Sequence, residues 1–70
     1  MVYMKIRYQG IWPTTSKRPD VISLSRVPSL GEYVDVDNMV CQVTSVIHIA
    51  ATPGDQRVPQ IVAQVSVQPT

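Results

Sequence analysis

Apolar and polar residues alternate with a period of two along most of this chain, and no stretch repeats apolar residues at helical spacing. From Val2 to Gln9, Val2, Met4, Ile6 and Tyr8 stand against Tyr3, Lys5, Arg7 and Gln9. A strand written this way packs one face on a core and leaves the other wet. Ile22 and Leu24 against Ser23 and Ser25 mark a second strand, Val21 to Val27. Val34 and Val36 against Tyr33 and Asp35 mark a third, and the run from Met39 to Ala50 a fourth. In the fifth, Gln60 to Gln68, Ile61, Ala63, Val65 and Val67 alternate with Gln60, Gln64, Ser66 and Gln68.

The breaks between these runs have their own chemistry. Gly10 to Asp20 contains Pro13 and Pro19, each of which removes a ladder donor and fixes its own φ, so the stretch reads as a loop. Pro28 stops the second strand. Pro28-Ser29-Leu30-Gly31-Glu32 reads as a turn, with the proline at its second position and Gly31 accepting a positive φ. Asp37-Asn38 is the expected tip of a hairpin, because both residues tolerate left-handed backbone. Closing the hairpin there sets Val36 opposite Met39, Val34 opposite Cys41 and Glu32 opposite Val43, which keeps the apolar residues on one face. A slip of one residue would separate Val34 and Val36 from Cys41 and Val43. Carried onward, the same parity points Ile47 and Ile49 inward and Gln42, Thr44 and His48 outward, along a strand expected to bend. Pro53-Gly54-Asp55 is the expected turn in a loop from Ala51 to Pro59.

The stretch Pro28-x-x-Gly31-Glu32-x-Val34-x-Val36, then Cys41-x-Val43-x-x-Val46-x-His48, resembles a pattern of small SH3-like β-barrel proteins. That pattern is P-x-x-G-(D/E)-x-V, a turn, and V-x-x-V-x-H. Cys41 stands where it often has an aromatic residue. Many such proteins are carried by mobile elements, phages and integron gene cassettes, and have no assigned activity. The resemblance implies a fold and brings no catalytic residue with it. The expected fold is a single all-β domain over residues 1–70: a five-stranded antiparallel SH3-like barrel or partly open β-sheet, with no significant helix.

Composition narrows the function classes. At 44% hydrophobic, 16% charged and a net charge of +1, the chain lacks the signature of disorder and of a general nucleic-acid binder. No apolar run is long enough to span a bilayer and no signal peptide is readable; with one lone thiol, the expected compartment is the cytoplasm. Seventy residues bury a modest core, and small domains lean on disulfides, a metal or an oligomer. Cys41 is the only cysteine and His48 the only histidine, so no intramolecular disulfide and no His/Cys metal cage is expected. Neither a metal nor a cofactor is called for, and self-association is the expected staple.

Four groups of side chains merit weighing as sites. Cys41 and His48 would make a nucleophile–base pair only within hydrogen-bond reach, and an odd separation on one strand puts them on opposite faces unless a bulge intervenes. Glu32, Asp35 and Asp37 are carboxylates near turns, where acids are common without any bound cation. Trp12, Lys17 and Arg18 lie in the long loop, next to a strand whose polar face carries Tyr3, Lys5 and Arg7. A loop folded over that face would gather four cations and two aromatics, suited to nucleic acid or an acidic protein surface. A loop folded the other way would use Trp12 as a plug for one barrel end. Tyr33, Val40 and Val62 fall on the expected outer face, where a contiguous apolar set marks an interface.

These readings favour a non-enzymatic binding module that self-associates and recognises another protein. The alternative is a nucleic-acid-binding barrel using the Trp12 loop. A third class is an oligomeric enzyme or ligand binder with a site shared between subunits, for which His48 and Tyr33 would be the residues.

Overall fold

The alternating runs become strands because each buries one side against the others. The computed structural model describes residues 1–15, 17–50, 54 and 60–70, and shows β1 (Val2–Tyr8), β2 (Val21–Leu24), β3 (Tyr33–Val36), β4 (Met39–His48) and β5 (Ile61–Pro69). No helix occurs among the described residues. Of the expected Pro53-Gly54-Asp55 turn, only Gly54 lies within the described residues.

The strands form one sheet in the order β2-β1-β5-β4-β3, curled into a half-barrel. The expectation of purely antiparallel pairing needs correcting, since β1 and β5 run parallel while every other pair is antiparallel. The cause lies in the connection from β2 to β3. It carries the chain from one edge of the sheet to the other, across the concave side, where Val27 is half-buried and Pro28 buried. The β1–β2 pair and the β3–β4–β5 meander that it joins then meet through β1 and β5, which point the same way.

The concave face holds the core: Met4 and Ile6 from β1, Val34 and Val36 from β3, Cys41 and Val43 from β4, and Ala63, Val65 and Val67 from β5. The β3–β4 hairpin closes as the sequence implies, with Val36 opposite Met39 and Val34 opposite Cys41. Asp37 and Asn38 take φ of 52° and 66°, the left-handed pair of a two-residue hairpin turn. The Val43 N–H donates to the Glu32 carbonyl at 2.9 Å and extends that register. The turn before β3 is Ser29 to Glu32, closed by the Glu32 N–H on the Ser29 carbonyl at 3.1 Å, so Pro28 precedes it and does not occupy its second position. Gly31, with φ 85°, supplies the positive φ that the third position of this turn needs.

Two bulges change the faces. The β4–β5 register shifts between Val43 and Ser45, leaving Thr44 as an extra residue. Beyond it Val46 lies opposite the fully buried Val65, while Ile47 lies opposite Gln64 and is 57% exposed. The expected inward placement of Ile47 and Ile49 is thereby reversed, because one inserted residue inverts a period of two. Thr44 does not stand freely outward: its hydroxyl donates to Gln9 Oε1 at 2.6 Å. A second shift, between Tyr3 and Met4, leaves Val62 of β5 without a counterpart on β1.

Candidate functional site

The long loop between β1 and β2 folds toward the concave side. Trp12 is buried, its indole N–H donates to the Gln9 carbonyl at 2.7 Å, and its ring meets Tyr8 edge to face at 4.9 Å and 84°. The Tyr8 hydroxyl donates to the Pro19 carbonyl at 2.6 Å, and the Lys17 N–H donates to Asp37 Oδ2 at 3.3 Å, which carries the loop across to the β3–β4 hairpin tip. Burial, with smaller contributions from Cys41 and Asp20, raises the Tyr8 phenol above its ordinary pKa. Trp12 thus plugs one end of the half-barrel and offers no ring for stacking. Tyr3, Lys5 and Arg7 alternate with the core-facing Met4, Ile6 and Tyr8, so they point to the convex face, away from the loop. The structure does not bring the six residues together.

Cys41 and His48 also stay apart. The bulge at Thr44 does restore a common face, because His48 lies opposite the core residue Ala63. Yet seven residues of strand separate the two by on the order of 20 Å. Cys41 is fully buried, its thiol donates to the Val34 carbonyl at 3.2 Å, and burial followed by the charge of Asp35 pushes its pKa up. His48 is exposed. Among the described residues no three His, Cys, Asp or Glu side chains gather as metal ligands. Tyr33 and Val40 are 66% and 49% exposed on adjoining strands, whereas Val62, expected beside them, packs against the core at its bulge.

The feature that the sequence reading misses is the open side of the half-barrel. β2 and β3 are the two edge strands, and a groove of about 330 Å³ opens between β3 and the chain leaving β2. Leu24, Pro28 and Val34 give it apolar walls. Arg26 grips Glu32 through two parallel hydrogen bonds, Nη1 to Oε1 at 2.7 Å and Nη2 to Oε2 at 2.6 Å. Glu32 Oε1 also accepts the Ser29 N–H at 2.5 Å. Arg26, and then the Ser29 N–H, hold the Glu32 carboxyl down at about 2. The fork ties Arg26 to the turn before β3. Its sequence signal is an Arg and a Glu flanking a Pro-x-x-Gly turn, which is visible only once the turn is known to fold the two together.

Ladder alternation shows which backbone groups face this opening. Glu32 accepts from β4, so Val34 and Val36 also turn their backbone groups to β4, while those of Tyr33 and Asp35 face away. On β2, the Ile6 N–H bonds the Asp20 carbonyl, so Ile22 and Leu24 face β1 while Val21 and Ser23 face away. Comparison with known proteins adds nothing to this geometry: no family model, curated protein or solved structure matches the chain.

Proposed function

We propose that this chain is a small protein-binding module that takes an extended segment of its partner at the open side of the half-barrel, added as a strand to β3. The observation that carries the reading is the edge of β3, unpaired among the described residues, whose Tyr33 and Asp35 backbone groups face a groove walled by Leu24, Pro28 and Val34. In strand addition the main-chain bonds supply affinity, and the pockets for alternate side chains supply selectivity. An edge of this kind recruits a strand unless something covers it.

The test is selection of linear peptides from a display library, followed by amide chemical-shift mapping on the whole protein. Selected peptides should shift Tyr33, Asp35 and Ser23, and should lose affinity for Tyr33→Pro. That change deletes an edge N–H facing away from β4 and leaves the β3–β4 ladder intact. Failure to select any binder, or shifts confined to the convex face, would refute the proposal.

Self-association is a second reading, favoured by a row on the convex face. Val21, Lys5, Gln64 and Ile47 stand side by side across four strands, with Val21 40% and Ile47 57% exposed and Tyr3 nearby at 40%. A second copy covering this row would supply buried area that a chain of this size gains from no disulfide. Light scattering on a concentration series tests it: a discrete dimer that Ile47→Lys abolishes supports it, and a monomer at every concentration refutes it.

A further inference from the structure

The charges along the groove narrow what kind of segment it would take. This step rests on the reading of the β3 edge as a strand acceptor. Arg26, Glu32 and Asp35 are the charged side chains that line the opening. Arg26 and Glu32 neutralise one another, and Arg26 Nη1 also donates to the Val27 carbonyl at 3.2 Å. An incoming carboxylate therefore meets a guanidinium whose forked face is already occupied. Asp35 is different: among the described residues it has no ion-pair partner, and its carboxylate is the net charge of the groove. Beside it on the same strand stands Tyr33, 66% exposed, with a ring face available to a cation. Val34 alternates with Tyr33 and Asp35, so it and the neighbouring Leu24 and Pro28 offer apolar surface to the residues on the other face of an incoming strand. A volume of about 330 Å³ sits at the small end of ligand pockets, a size for one or two side chains rather than a cofactor.

From these features we infer that the groove recognises an extended, alternating segment of a partner protein carrying a lysine or arginine, with the cation set against Asp35 and Tyr33 and the apolar residues of its other face set against Leu24, Pro28 and Val34. The pairing is partly solvated, so its effect is selectivity among strands that the β3 edge already accepts.

The experiment uses three capped peptides, Thr-Val-Xaa-Val-Thr-Val with Xaa lysine, glutamine or glutamate, titrated into the isotope-labelled full chain. The lysine peptide should bind roughly tenfold more tightly than the glutamine peptide, the sum of one exposed ion pair and one exposed cation–π contact. The glutamate peptide should bind most weakly. Asp35→Asn should remove most of the lysine advantage while leaving the shifts of β3 amides by the glutamine peptide in place, and added salt should shrink the same advantage. Equal affinity for all three peptides, with β3 amides shifting, would overturn the charge selection and leave the strand-acceptor reading standing. Tightest binding by the glutamate peptide would overturn it in favour of Arg26. No shift of Tyr33 or Asp35 by any peptide would overturn both.

Discussion

Replacing Trp12 is the sharpest probe of how the half-barrel is closed at one end. The side chain is 9% exposed, packs edge to face on Tyr8 and donates to the Gln9 carbonyl at 2.7 Å. Truncating a buried Trp to Ala costs about 3–5 kcal/mol, of which an edge-to-face ring pair accounts for about 0.5–1.5 kcal/mol. A chain of 70 residues has in total about 3.5–10 kcal/mol, at about 0.05–0.15 kcal/mol per residue. Trp12→Ala therefore removes roughly 30% or more of the stability and leaves the weakest case unfolded. Trp12→Phe keeps a ring against Tyr8 and loses the indole N–H, a cost of about 1–2 kcal/mol. Urea unfolding followed by far-ultraviolet circular dichroism reads both variants without relying on the lost fluorophore. If Trp12→Ala lies within about 0.5 kcal/mol of the parent, Trp12 is no plug, and its loop is free to meet Lys5 and Arg7 after all.

Cys41, Glu32 and the Thr44 bulge give further expectations. Cys41 should resist alkylation in the native protein and react fully in denaturant, because it is buried and its thiol is held above the ordinary range; rapid native labelling would contradict its place in the core. Glu32 should titrate at about 2, below its ordinary 4.5. A depressed acid stabilises the fold above its unfolded pKa, so this contribution should be lost as pH falls from 4.5 through about 2. Carboxyl-carbon shifts should follow that course and move toward 4.5 in Arg26→Gln. The bulge at Thr44 is tested by a pair of variants: Val46→Lys should cost several kcal/mol and Ile47→Lys about 0.5 kcal/mol or less. The reverse order by urea unfolding would restore an uninterrupted parity.

Much of the sheet is legible in the chain because a half-buried strand writes its faces into alternate residues. The β3–β4 hairpin shows this best: Asp37 and Asn38 tolerate positive φ, and only one register places Val34, Val36, Cys41 and Val43 together. The same logic fails at Thr44, whose own residue type carries no mark of the extra position, so every inference downstream of it on β4 inverts. Parallel pairing of β1 with β5 is equally hidden, since alternation says which side of a strand is buried and nothing about which way its neighbour runs. The groove is illegible in the sequence for a related reason. It depends on β2 and β3 both being edges, and on Arg26 and Glu32 meeting around a turn, which are facts of topology.

Amide hydrogen exchange along β3 tests the open side most directly. In the free protein the Val34 and Val36 amides should be protected by β4, while those of Tyr33 and Asp35 exchange nearly as fast as in an unfolded chain; the lysine peptide should slow Tyr33 and Asp35 alone. Protection of all four residues in the free monomer would mean that the edge is already covered, and would contradict a strand acceptor there.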